Sequence, residues 1–256
     1  MVVKNMKIVA ILQARASSSR LPQKVLRPIL DAPMLQRQIE RVQRSKLIDQ
    51  LIVATSVEGS DDAIETLCGR LDVPCFRGSL DDVLDRFYQA AKTCQPDHVV
   101  RLTGDCPLID PQVIDKVLKL HLDEGVEYTS NGAPPTYPDG LDVEVMTFRA
   151  LQQAWTEASL KSEREHVTPY MRKPNSGLSH CNVTNDVDLS HLRWTVDEPE
   201  DLEFVVRIYE NLYEKNPCFG SSEVLSFLEE QPEVMQINQG FVRNEGYQRS
   251  LANDKS

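Results

Sequence analysis

The six cysteines of this 256-residue chain include no CxxC pair, which excludes a thioredoxin-type motif and a cysteine-built zinc cluster. Scattered at 68, 75, 94, 106, 181 and 218, they read as reduced thiols. Long apolar runs are also missing. No stretch approaches the roughly 20 apolar residues of a membrane span, and the apolar run at 8–12 ends at Gln13 and Arg15, far short of a signal peptide's core. No internal repeat and no low-complexity linker divides the chain. Positive charge is in deficit: 28 Lys+Arg stand against 39 Asp+Glu, a net charge of −11. Such a body repels phosphate backbones and anionic lipid, so nucleic acid and membrane surfaces are not expected partners. A small anionic substrate would need a local basic pocket. Hydrophobic residues at 41% and charged residues at 26% exclude a disordered chain. The expected location is the cytoplasm.

Residues 7–13 (KIVAILQ) are apolar almost throughout, the pattern of a strand buried on both faces. The spacing of Met34, Leu35, Ile39, Val42 and Leu47 predicts an amphipathic helix over 33–46. The alternation repeats: strand 51–55, helix 60–71, strand 73–76, helix 79–93 with Ser79 as N-cap, strand 98–102, and helix 111–124 opened by Pro111. Four strand–helix units argue for an α/β fold with a mostly parallel sheet covered on both faces. Ligands bind beyond the carboxyl ends of such strands, so the loops after Gln13, Phe76 and Leu102 should converge. Beyond about 125 the rhythm changes to a Pro/Gly loop at 131–140, a strand at 141–148, helices at 149–158 and 163–172, and a strand at 178–183. A strand at 193–196 leads into a helix at 199–213, and a last helix spans 221–230. The expected organisation is a disordered extension at 1–5, one domain at 6–243 with an excursion near 125–185, and a frayed polar tail at 244–256.

Chemistry concentrates first in the loop QARASSSRLPQK at 13–24, where Arg15, Arg20 and Lys24 follow a buried strand in an otherwise acidic protein. Small residues let backbone amides approach a polyanion, and fixed cations neutralise charge on a transferring phosphoryl group. The GxxxxGK[ST] pattern is absent, so this is no Walker loop. A surface loop whose cations pair with nearby carboxylates would have the same composition. Asp105 follows the fourth strand in RLTGDCPL; a turn aspartate and a metal carboxylate both fit it. Asp197 precedes Glu198 and Pro199, which also fits a helix N-cap. Asp142 and Glu144 fall on one strand face by period-two spacing. His166 sits in a charged helical stretch, and Cys106 reads as a packing residue.

The loop, with RGS at 77–79, DVLDR at 82–86, RLTGDCPL at 101–108, EH at 165–166 and RWTVD at 193–197, resembles the sugar-acid cytidylyltransferases. These include the acylneuraminate and 3-deoxy-manno-octulosonate enzymes, and the likeness is nearest to the group called spore coat polysaccharide biosynthesis protein F. It covers about residues 6–215. One departure is that Ala16 and Ser17 to Ser19 stand where studied members are Gly-rich. The resemblance implies a three-layer α/β/α nucleotidyltransferase fold of the glycosyltransferase-A-like type. It implies transfer of CMP from CTP to an acidic sugar or related acid, with release of pyrophosphate, for surface polysaccharide or glycan assembly. It also implies Mg²⁺ on Asp105 and Asp197, and catalytic roles for Lys24, Arg15 and Asp105. Nucleotide contacts are expected from Gln13, Ala14, Arg15, Arg20, Lys24, Arg77, Ser79 and Thr103, and acceptor contacts from Asp142, Glu144 and His166. The partners are then CTP and an acidic small molecule, with a homodimer left open. Two alternatives stand beside this reading: a sugar 1-phosphate nucleotidyltransferase making an NDP-sugar, and a non-catalytic nucleotide-binding protein of the same fold.

Overall fold

The apolar run near the N-terminus becomes β1 (Ile8–Gln13), the hub of the molecule. The computed structural model describes residues 6–241, 243 and 245–254; the extension expected at 1–5 lies outside them. After β1 come two short antiparallel strands, β2 (Pro28–Ile29) and β3 (Ala32–Pro33), then helix α1 (Met34–Val42). Strand β4 (Gln50–Ser56), helix α2 (Asp62–Arg70), strand β5 (Cys75–Gly78), helix α3 (Val83–Lys92), strand β6 (His98–Thr103) and helix α4 (Pro111–Glu124) continue the alternation. Then follow β7 (Tyr128–Ser130), β8 (Glu144–Thr147), α5 (Phe148–Glu157), α6 (Lys161–His166), β9 (His180–Asn182), α7 (Pro199–Leu212), α8 (Ser221–Glu230) and α9 (Glu245–Asn253).

Seven strands form one sheet in the order β5-β4-β1-β6-β8-β7-β9. All pairings are parallel except those of β8, which runs antiparallel to β6 and β7. Side chains of β1 alternate between two cores. Ile8, Ala10 and Leu12 join α1, α4 and α7 on one face, and Val9 and Ile11 join α3 and α5 on the other. Burial on both faces is why β1 is a continuous apolar run rather than an alternating one. Because β4 and β6 flank β1 on opposite sides, the connections diverge there, and a crevice opens beyond the carboxyl ends of β1 and β6.

Several expected elements change. The segment at 125–185 is no excursion: β7, β8 and β9 complete the sheet. β7 has only three residues, too short for a periodic signal. The second helix expected at 163–172 stops at His166, where Val167 adopts φ 71° and Pro169 follows. Ser79 does not cap α3; the carboxylate of Asp82 accepts from the Asp85 amide at 2.9 Å, and Ser79 Oγ accepts from the Asp82 amide at 3.0 Å. The expected strand at 193–196 is reduced to one bridge between Asp139 and Arg193. The tail, expected to be frayed, carries α9.

Candidate active site

The loop after β1 is fixed from beneath by a buried carboxylate. Asp61 accepts from the Ala16 amide at 2.7 Å and the Ser56 amide at 3.1 Å. Burial alone would raise this carboxyl, but those hydrogen bonds hold it below its ordinary range. The β6 loop meets the β1 loop at Gly104, whose amide donates to the Gln13 carbonyl at 2.7 Å. A Cβ there would stand 2.7 Å from that carbonyl oxygen, so glycine is the residue that permits the approach. The segment carrying Asp197 joins them: the Val196 amide donates to the Asp105 carbonyl at 2.8 Å, and Lys24 Nζ donates to the Val196 carbonyl at 2.8 Å.

Lys24 Nζ lies 2.7 Å from Asp197 Oδ1 and 3.6 Å from Asp105 Oδ2, so one ammonium stands between the two carboxylates. Burial would lower the lysine, yet the charges of Asp105 and Asp197 raise it above its usual range. Burial pushes Asp197 up, and Lys24, Arg20 and Arg193 together bring it below the usual carboxylate range. Arg20 pairs with Asp197 at 3.1 Å, Glu198 at 2.8 Å and Glu245 at 3.4 Å.

These groups open on a cleft of about 530 Å³. Gln13, Ala14, Arg15, Arg20, Lys24, Thr103, Asp105, Asp142, Glu144, His166 and Asp197 all line it, so residues spread over more than 180 positions of sequence share one cleft. Two sequence candidates lie elsewhere. Arg77 is held outside by Asp62 at 2.7 Å and Glu65 at 2.8 Å, and its guanidinium donates to the carbonyls of Ser56 and Glu58 at 2.9 Å each. Neither Arg77 nor Ser79 lines the cleft; Leu80, Asp81, Val83 and Arg86 occupy that side. Arg86 is buried and donates to the Ser79 carbonyl at 2.7 Å. Burial first, and the charge of Arg15 second, push its guanidinium down to about 10. Two cations forced together at a cleft wall favour an anion between them.

A network of charges continues along the cleft through Arg193, which lies 3.6 Å from Asp197 and 3.5 Å from Asp139. Glu144 accepts from Arg101, from the Tyr128 hydroxyl and from Thr168 Oγ1 at 2.6 Å. Burial opposes its ionised form, but Arg101 and Arg172 hold it below its ordinary range. Asp142 stands just before β8 but, two residues from Glu144, faces the same cleft as the period-two spacing predicts, while Val143 between them is buried in the core; Asp142 pairs with Arg243. Asp139 is pushed up to about 7 by burial and by the charge of Asp142. His166 Nε2 lies 2.9 Å from Ser250 Oγ of α9. Cys106 is fully buried, which raises its thiol well above the ordinary value and leaves it a packing residue, not a nucleophile.

No cluster of three or more His, Cys, Asp or Glu side chains converges on one point among the described residues. Asp105 and Asp197 converge as a pair. Two hard oxygen donors at a phosphate-sized cleft match the habit of Mg²⁺, which keeps waters and substrate phosphates as its other ligands. Sequence reasoning missed Arg86, Asp139 and Arg172 as cleft residues. Arg86 lay within the quoted DVLDR motif, which was the available signal.

Residues 9–234 match the family model described as Cytidylyltransferase. The chain is 33% identical over 234 residues to the spore coat polysaccharide biosynthesis protein SpsF of Bacillus subtilis, covering 89% of this chain and 96% of that one. A 3-deoxy-manno-octulosonate cytidylyltransferase of Geobacter metallireducens is 35% identical over 113 residues, 44% of each chain. Among solved structures, a cytidylyltransferase from Leptospira borgpetersenii superposes with a TM-score of 0.87 at 32% identity, covering 93% of this chain and all of that one.

Proposed function

Because the chain belongs to the cytidylyltransferase family, we propose that it moves CMP from CTP to an acidic sugar or related acid, releasing pyrophosphate, for surface polysaccharide or glycan assembly. The observation that carries this reading is the Lys24 ammonium held between Asp105 and Asp197 at the mouth of a cleft that Arg15 and Arg20 also line. The names of the relatives, one a polysaccharide biosynthesis protein and one an octulosonate cytidylyltransferase, support the acceptor class.

In this mechanism an acceptor oxygen attacks the α-phosphorus in line as the bond to pyrophosphate breaks. Such chemistry is mainly positioning and charge stabilisation, and needs no covalent nucleophile. Lys24, Arg15 and Arg20 hold the triphosphate, with Arg86 behind Arg15. Gln13, Ala14 and Thr103 line the nucleotide side, and Asp142, Glu144 and His166 the acceptor side. Asp105 and Asp197 would hold Mg²⁺, which when bound supplies charge neutralisation at phosphate oxygens.

The test is pyrophosphate release from CTP and Mg²⁺ with a panel of sugar acids, the CMP-acid being identified by mass spectrometry. A CMP-linked acid is the expected product. Turnover only with a sugar 1-phosphate, or CTP binding with no turnover on any acceptor, would reject the proposal.

A further inference from the structure

Helix α9 lies beyond residue 234, outside the segment that matches the family model, yet Glu245, Gly246 and Tyr247 line the cleft. The helix is docked by polar contacts. Ser250 Oγ, the buried hydroxyl at its centre, donates to Glu165 Oε2 at 3.0 Å and lies 2.9 Å from His166 Nε2. Asp254 accepts from the Ser162 amide at 3.0 Å. Glu245 pairs with Arg20 at 3.4 Å. These contacts set the rotation of the helix and aim Tyr247 inward.

The Tyr247 ring meets the His166 ring edge to face, with centroids 5.1 Å apart. The Arg172 guanidinium carbon stands 5.4 Å from the Tyr247 centroid. Burial would lower Arg172, but Glu144 keeps its charge secure. An arginine stacked on an aromatic ring keeps its in-plane N–H groups for a carboxylate, and a tyrosine presents an apolar face to the C–H side of a sugar ring with a hydroxyl at its edge. One cationic group and one aromatic face, lining the same cleft as the Lys24 cluster, suit a ring that carries a carboxylate and hydroxyls.

Resting on the CMP-transfer reading, we propose that Tyr247 is a specificity-determining residue: with Arg172 and His166 it forms the wall that selects the acceptor acid, and α9 exists to present it. The selection is of a carboxylated, hydroxylated ring against smaller acids.

The experiment uses the full chain with CTP, Mg²⁺ and three probes: 3-deoxy-manno-octulosonate, N-acetylneuraminate and the small hydroxy acid D-glycerate. Tyr247→Ala is expected to leave CTP affinity by calorimetry and the melting temperature unchanged. It should raise KM for the preferred sugar acid on the order of tenfold, the loss of one well-packed contact, with a smaller change in kcat and a flatter preference across the panel. Tyr247→Phe keeps the ring and should recover most of the KM. Unchanged acceptor KM and unchanged preference in Tyr247→Ala overturn the inference while leaving the CMP-transfer reading intact. Wild-type protein that binds CTP but neither binds nor uses any of the acids overturns both. A loss confined to CTP affinity places Tyr247 on the nucleotide side, and also overturns the inference.

Discussion

Lys24 shows how much one side chain can organise. Its ammonium touches Asp197, approaches Asp105 and caps the Val196 carbonyl, so it joins the loop after β1 to the two candidate metal carboxylates. Lys24→Met keeps the stem and removes the charge. Pyrophosphate release is expected to fall on the order of 10²- to 10³-fold, the size seen when one group aimed at developing charge is lost. The variant also bears on acid stability. Asp197 has a folded pKa below its unfolded value, so its contribution is present above the unfolded value and is lost as pH falls through the folded one. Without Lys24 that depression shrinks, and the gain in stability between acidic and neutral pH, read by urea unfolding, should shrink with it. Turnover equal to wild type would show that the ammonium only braces the fold. Lys24, Arg20 and Asp105 were legible because each sits in a short motif directly after a strand. Arg77 misled because its motif fixes only the chain position; Asp62 and Glu65 on α2 decide where the guanidinium goes, and that contact spans separate elements.

Elements were legible where both faces of a strand or one broad face of a helix is buried. Strands β1, β4 and β6 and helices α1, α4, α7 and α8 follow the apolar periodicity closely, since burial in two cores dictates it, whereas the two-residue strands β2 and β3 carry no periodic signal. The far edge of the sheet was less legible: β7 and β9 have three residues each and owe their conformation to pairing with neighbours. The same region holds a polar device that periodicity cannot show. His121 on α4 is 1% exposed, with its Nε2 3.0 Å from His98 Nδ1 on β6 and its Nδ1 3.0 Å from Thr129 Oγ1 on β7. Burial, then the neighbouring His98, lowers it to about 4. In the unfolded chain it takes up a proton near 6.5. Between pH 6.5 and about 4 the unfolded state therefore binds more protons, and stability falls as pH falls, by about 3 kcal/mol across that window for this group. His121→Gln should flatten the slope of unfolding free energy against pH in that window. An equally steep slope would assign the acid sensitivity to other groups. Gly104 makes a second case at this scale. Gly104→Ala forces a Cβ against the Gln13 carbonyl, and the overpacking should cost about 1–3 kcal/mol while raising KM for CTP, because the two nucleotide-side loops are pushed apart.

At the scale of the whole molecule, the charge balance sets a problem that the cleft must solve. The chain carries a net −11, and a nucleoside triphosphate adds further negative charge beside Asp105, Asp139, Asp142 and Asp197. Arg20 and Lys24 are already committed to Asp197, so their charge is not wholly available to the phosphates. Arg15 and Arg86 line the same cleft, and the charge of Arg15 opposes that of Arg86. A divalent ion held by Asp105 and Asp197 would add positive charge beside the phosphates that the committed cations do not supply. Chelation with EDTA should therefore abolish pyrophosphate release and weaken CTP binding by calorimetry on the order of tenfold or more, the effect of one charge interaction at contact in a half-buried site. Restoring Mg²⁺ should recover both. Asp105→Asn should make CTP binding far less responsive to Mg²⁺, because one of the two carboxylates that need the ion is gone. CTP affinity that is identical with and without a divalent ion would mean that the cleft's own arginines balance the charge, and that Asp105 and Asp197 serve only to hold Lys24 in place.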